Sequence, residues 1–319
     1  MSLLVHCRII VLLVVSVAAA CASSRLRGTV VTPGDSPALS PLPDVVSDAR
    51  LLDQPTNAAR LEALQHVLHK RGLRFSLQPF PNESRQRDSR EQGQNIVLEP
   101  LGPDGPQIIV GAHLDAVSLG GGRQSHGMVD NAAGVIVLTR VAETLRTHQL
   151  RHRIRVVFFD LEESGLQGSK HFASSLDRAA VRAMVNVDIA GYGDTILSGP
   201  TAAAGTEALH QTLSRVCAAR GYTCLRLPSF PNGDDRSFQA VGIPAISLGI
   251  LPALEAHQVW LLFNGGKDSG LAPGFAPQIL KTIHSPEDTA DKLTPAGMTL
   301  IHDAVVGLLL ELDAGKHER

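Results

Sequence analysis

The chain alternates short apolar runs with longer stretches in which apolar residues recur every three or four positions. Gln107 to Ala112 (QIIVGA), Arg153 to Phe159 with its VVFF ending, Met184 to Val187 and Pro244 to Leu248 read as buried strands, since β-branched and aromatic residues dominate them. Val135, Leu138, Val141 and Leu145 recur at helical spacing and predict a helix opening after Gly127. Leu166 to Leu176 and Thr206 to Arg220 predict two more, and Pro295 to Leu312 a closing helix with Pro295 in its first turn. Upstream, Asn57 is placed to cap a helix through Leu61, Leu64, Val67 and Leu68 that stops at Gly72. Arg74 to Phe80 and Asn95 to Leu98 predict strands around a polar loop, Pro81 to Gln94. Ser237 to Ala240 reads as a short helical turn, and Leu251 to Ile279 as a long loop rich in Gly and Pro, with Trp260 and Phe263 as its anchors. Strands alternating with helices predict an α/β fold: a mainly parallel mixed sheet sandwiched between helices. It is mixed because the first strands follow one another with no helix between them.

The N-terminus breaks this pattern. Arg8 precedes an apolar run from Ile9 to Ala20, too short to span a bilayer, with Ala18 and Ala20 at small-residue cleavage positions; residues 1–25 read as a signal peptide. Cys21 after three alanines loosely resembles a bacterial lipoprotein processing site, the one route to a membrane in the reading. Residues 26–53, rich in Pro and Ser, read as a linker or N-terminal arm, and 54–319 as a single domain. A secreted or periplasmic location follows, and in that compartment Cys217 and Cys224 are expected to be bridged. The net charge of -2 supplies no basic patch for nucleic acid and no acidic tail, and no other run is long and apolar enough to cross a membrane. Nothing in the residues selects an oligomeric state.

Chemistry gathers where the apolar runs stop. His113 and Asp115 follow the first strand, Asp160, Glu162 and Glu163 the second, and Asp188 the third; Asp130 opens the helix after Gly127, and His284 closes the long loop. Carboxylates at the ends of parallel strands sit where open α/β sheets bind ligands, and there they either hold a cation or repel one another. Any one of them taken singly is more often a structural group; it is their joint placement that carries the assignment. Imidazole and carboxylate without thiolate suit zinc in a catalytic site, with manganese or cobalt as substitutes. Five ligands exceed what one tetrahedral ion with an open position accepts, and fit two ions that share a carboxylate and a water. A neighbouring glutamate would take the proton from that water.

The segments GAHLDA, DNAAG, DLEESGLQGS, NVDIAG and HSPEDTADKL, in that order over His113 to about Leu293, resemble the co-catalytic di-zinc exopeptidases, metallopeptidase family twenty-eight, which include aminopeptidase Y and the bacterial leucyl aminopeptidases. The resemblance implies two Zn2+ per chain, one on His113 and Asp188, the other on Glu163 and His284, with Asp130 bridging. It implies Glu162 as general base and then acid, and Asp115 as the group orienting the His113 imidazole. Two departures stand out: Val129 precedes the bridging Asp where the family has an acidic or small residue, and Asp235 occupies the His position of an SDHxxF segment, here GDDRSF. The second bears on substrate preference. His126, His171, His257 and His302 fall outside the motifs and read as surface or supporting groups, and Gly120 to Gly122 as a flexible turn beside the cleft.

The implied function is an exported zinc aminopeptidase acting on peptide substrates through a metal-bridged water. Two other functions suit the fold: a glutaminyl-peptide cyclotransferase with a single zinc, and a non-catalytic binding module. The complete set of His113, Asp130, Glu163, Asp188 and His284 ranks the hydrolase first.

Overall fold

The strands of the computed structural model, which describes residues 30–31 and 39–315, are in chain order β1 (Val30–Val31), β2 (Phe75–Pro81), β3 (Gln92–Leu98), β4 (Gln107–His113), β5 (Ser118–Gly120), β6 (Arg123–Gln124), β7 (Arg153–Phe159), β8 (Val181–Val187), β9 (Thr195–Gly199), β10 (Cys224–Arg226) and β11 (Ala245–Leu251). The helices are α1 (Val45–Arg50), α2 (Asn57–Lys70), α3 (Ala133–Leu145), α4 (Gln167–Ser174), α5 (Glu207–Arg220), α6 (Asp235–Ala240), α7 (Ala253–Asn264), α8 (Gln278–Thr282) and α9 (Pro295–Asp313). The signal peptide assigned to 1–25 and the anchor site at Cys21 lie outside the described residues.

Nine strands form one sheet in the order β1-β10-β9-β11-β8-β4-β7-β3-β2. At its centre β7, β4, β8 and β11 run parallel, while β2, β3 and β1 add antiparallel edges and β9 runs antiparallel to β11. This is the mixed sheet with a parallel heart that the alternation of strands and helices predicts.

Period-two alternation sends neighbouring residues of β4 to opposite faces. Ile108, Val110 and Ala112 join Val156 and Phe158 in a large core built with α1, α2, α3, α5 and α9. Ile109, Val157 and Phe159 face a smaller core with Phe172 of α4 and Phe238 of α6. All seven residues of β4 are buried. Gly111 is dictated by that packing, because a Cβ there would stand 2.3 Å from the Phe159 ring.

Several local expectations are corrected. Thr56, not Asn57, caps α2: its side chain accepts a hydrogen bond from Ala59 N at 3.2 Å. Asn57 instead braces the chain after β4, accepting from Ala116 N and donating to Ala116 O. Within the segment read as linker or arm, α1 packs onto the domain and buries Val45 and Ala49, and Leu52 just after it is buried too. The long loop contains α7, in which Trp260 is buried and donates to Arg226 O, while Phe263 is partly exposed. Contrary to expectation, α9 is long and apolar enough to cross a membrane (19 residues, hydropathy 1.3); it is 67% buried, the central helix of the larger core. Cys217 and Cys224 are joined by a disulfide that ties α5 to β10.

Candidate metal centre

β4 and β8 are adjacent and parallel, and their carboxyl ends place His113 and Asp188 side by side, with His113 Nε2 3.5 Å from Asp188 Oδ1. Asp130 reaches them from an irregular helical turn, Met128–Ala132, that leads into α3. Its two carboxylate oxygens diverge: Oδ1 lies 2.9 Å from His113 Nε2 and Oδ2 lies 3.2 Å from His284 Nε2. His284 Nε2 is also 3.0 Å from Glu163 Oε2. Two donor sets result, His113 with Asp130 and Asp188, and Asp130 with Glu163 and His284; in each set the ligand atoms lie within 4.8 Å of one another. Residues spread over more than 170 positions thus converge on one shared carboxylate.

Burial makes this gathering of carboxylates costly unless positive charge compensates it. Burial and the Asp130 charge push the Glu163 carboxyl up to about 7, against the pull of His284 and His113. Burial also works against a charged His113 ring, yet the carboxylates of Asp115, Asp130 and Asp188 hold its pKa well above the usual histidine range. Asp130 and Glu163 lift His284 to about 11. Positive charge is therefore favoured at two points, one in each donor set. Glu163 Oε1 is buried with no hydrogen-bond partner. An oxygen- and nitrogen-only donor set with a buried unpartnered oxygen fits divalent zinc.

Glu162 stands beside both sets. Burial pushes its carboxyl well above the usual range, with Asp234, Asp188 and Glu163 adding to the effect and the His113 charge opposing it. Its backbone is fixed by Asp115, whose carboxylate accepts hydrogen bonds from Glu162 N at 2.9 Å and Glu163 N at 3.1 Å. The contact expected between Asp115 and the His113 imidazole is made by the Asp115 backbone. Its carboxylate is 3.7 Å from His113 Nδ1, too far for a hydrogen bond, and the ring nitrogen meets the Asp115 carbonyl instead, at 3.1 Å. Asp115 therefore orients the histidine through its backbone and the two glutamates through its side chain. Asp160, the third carboxylate of that stretch, turns away into a bidentate pair with Arg90.

Two supporting residues are not assigned a role by the residue pattern. Arg60, on the apolar side of α2, is 1% exposed and donates to the carbonyls of Leu52, Leu114, His126 and Gly127, so it clamps the chain on both sides of the centre. Asp288 accepts from Val129 N at 2.7 Å and Asp130 N at 3.1 Å, fixing the turn that presents Asp130. It lies in the HSPEDTADKL segment, and its spacing from His284 is the one cue available. The substituted Asp235 is buried and hydrogen-bonded to Ser247 and Gln239, while Gly233 before it abuts Asp188. His126, His171, His257 and His302 lie outside both donor sets. Gly120 lines the same pocket as Glu163 and His284.

An α/β sandwich that gathers two candidate metal-binding donor sets of carboxylate and histidine at its strand ends defines the class. The sequence model of peptidase family M28 matches residues 95–309, and the chain belongs to that family. A "Probable leucine aminopeptidase 2" of Aspergillus fumigatus is 29% identical over 193 residues, 54% of this chain and 36% of that protein. The chain thus spans about a third of the length of this curated relative. Among solved structures, the LapA aminopeptidase of Legionella pneumophila has a TM-score of 0.62 at 18% identity, covering 86% of this chain and 70% of that one. A glutaminyl cyclase of Porphyromonas gingivalis has a TM-score of 0.62 at 17% identity, covering 84% and 96%.

Proposed function

We propose that this protein is an exported zinc aminopeptidase whose reaction centre is the pair of donor sets meeting at Asp130. The observation that carries the reading is the divergence of the Asp130 oxygens, one toward His113 and one toward His284. In this reading His113, Asp130 and Asp188 hold one zinc ion, and Asp130, Glu163 and His284 the other. When bound, such ions supply Lewis acidity, polarising a carbonyl and lowering the pKa of water. The chain's own groups do the rest. Burial raises the proton affinity of Glu162, so that as a carboxylate it would take the proton of the attacking water and then deliver it to the leaving amine. Asp115 holds the Glu162 and Glu163 backbone in register for that transfer. An apolar pocket beside Asp188, lined by Ile189, Leu197, Phe230, Ile250 and Ile279, suits an aliphatic N-terminal side chain.

Export rests on the apolar leader and is supported by the Cys217–Cys224 disulfide. The peptidase domain of this reading is the single unit assigned to 54–319, on which α1 also packs.

Glu162→Gln tests the assignment. Elemental analysis should find two zinc ions per chain in both proteins, while hydrolysis of leucine p-nitroanilide falls by about 10³-fold in the variant, the ordinary weight of a general base. Near-wild-type turnover in the variant defeats the role of Glu162. One ion per chain together with pyroglutamate formation would transfer the reading to the cyclotransferase.

A further inference from the structure

A second cleft adjoins the pocket that contains Glu163 and His284. Its volume is about 1180 Å³, and its walls are the loop between β2 and β3 and the face of α4. Arg85, Arg87 and Lys170 line it, against one carboxylate, Glu83. Arg85 meets Glu91 at 3.6 Å in an exposed pair. Lys170 Nζ donates to the Gly165 carbonyl at 2.9 Å, and neither Lys170 nor Arg87 forms an ion pair among the described residues.

Exposed cations are ordinarily no more than a solvated surface, but these two line a concavity whose walls are built. Buried Asn82 gathers the loop, donating to Asp88 O at 2.8 Å and Arg90 O at 2.9 Å and accepting from Ser84 N. Gln167 of α4 clips loop to helix, accepting from Glu83 N at 2.8 Å and donating to Asn82 Oδ1 at 3.2 Å. The cleft also leads to the reaction centre. A pocket of about 460 Å³ that contains Glu163 and His284 shares Gln86, Arg87 and Ser164 with it as a common wall. Ser164 and Gly165, on its floor, directly follow Glu163 in the chain.

If the N-terminal side chain occupies the apolar pocket beside Asp188, the peptide beyond the scissile bond runs past Glu163 and His284 toward these cations. We propose that this cleft seats the leaving fragment and selects one bearing a carboxylate, supplied either by the free C-terminus of a short peptide or by an acidic side chain. The inference rests on the aminopeptidase reading of the centre.

The test compares Leu-Ala-Ala with its C-terminal amide, and Leu-Ala-Glu-amide with Leu-Ala-Lys-amide, at low and high salt. For the wild type at low salt, each anionic peptide should exceed its partner in kcat/KM by about tenfold, the combined weight of two screened ion pairs. High salt should narrow the ratio. In R87E/K170E the ratio should fall to one or below, and in the charge-conserving R87K/K170R it should persist. A preference for Leu-Ala-Ala over its amide without one for Leu-Ala-Glu-amide assigns the C-terminus; the reverse assigns the side chain. Ratios near one in the wild type, or ratios unmoved by charge reversal, overturn the proposal. Equilibrium binding of the same peptides to the Glu162→Gln protein reads the cleft without turnover. An anionic preference there, abolished by R87E/K170E, upholds the subsite even if the wild type hydrolyses none of the peptides, an outcome that would sink the peptidase reading alone.

Discussion

The two donor sets that meet at Asp130 are built by different means. His113 and Asp188 stand at the ends of neighbouring parallel strands, where the β4–β8 ladder fixes their separation, and their side chains are 1% and 18% exposed. Glu163 and His284 come from loops; Glu163 is 9% exposed but the His284 side chain is 54% exposed, and His284 has a left-handed backbone with φ 57°. The loop pair therefore needs outside support. Asp115 receives the amide of Glu163, and Ser125 donates to the carbonyl of Ser285 beside His284. Where register sets a position the ladder fixes the backbone and His113 adds only a ring contact to the Asp115 carbonyl, whereas each loop residue has a brace one residue away or at its own backbone. The strand half keeps its histidine out of water while the loop half exposes its own, and a divalent ion should be held more tightly by the strand half.

The severest way to break the comparison is to remove what the halves share. Asp130→Ala takes one oxygen from each set, so both ions should be lost and hydrolysis should fall to background; elemental analysis reads the first and a chromogenic aminoacyl substrate the second. Retention of two ions by this variant would show that the carboxylate does not bridge.

A finer probe separates the halves. Titration with a chelator at neutral pH should remove zinc in two phases, with apparent constants about tenfold or more apart, equivalent to about 1.4 kcal/mol. The weaker phase should vanish in His284→Ala, and the tighter one in His113→Ala. A single phase releasing both ions together would mean that the difference in exposure has no energetic counterpart.

How far the residues announced this arrangement depends on how each part is specified. The strand half was legible because apolar runs that stop at His113 and Asp188 follow from local composition alone, and the parallel register then brings the two together. Glu163 and His284 of the loop half stood out as motifs, and the structure brings them together, but their braces did not stand out. Arg60 falls within a helix whose apolar residues already account for its buried side, and a cation there reads as solvent-facing until the carbonyls it gathers are seen in space. Asp115 was assigned to the imidazole because position i+2 on a continuing strand shares a face with position i; β4 ends at His113, and the chain turns its carboxylate onto the glutamate loop instead. β9 and β10 went unread for a different reason. They are five and three residues long, and their place in the sheet comes from partners far away in the sequence, β11 and β1.

A contrast away from the centre concerns what burial does to a histidine whose pKa no carboxylate holds up. His302 of α9 is 7% exposed, with Nε2 3.0 Å from Thr144 Oγ1. Burial, with Arg220 nearby, pushes its pKa down to about 4, opposite in direction to the buried His113 among its three carboxylates. Between the ordinary value of about 6.5 and about 4, the unfolded chain accepts a proton that the folded chain refuses, so folding stability falls as pH drops through that window. His302→Gln abolishes this linkage. In urea unfolding of the chelated protein, which keeps zinc out of the comparison, the variant should gain on wild type by about 2 kcal/mol between pH 7 and pH 5. Taking the difference between the two proteins at each pH cancels the titration of the carboxylates at the centre. A difference that stays constant with pH would mean that the folded ring takes up a proton as readily as the unfolded one, and that burial does not lower its pKa.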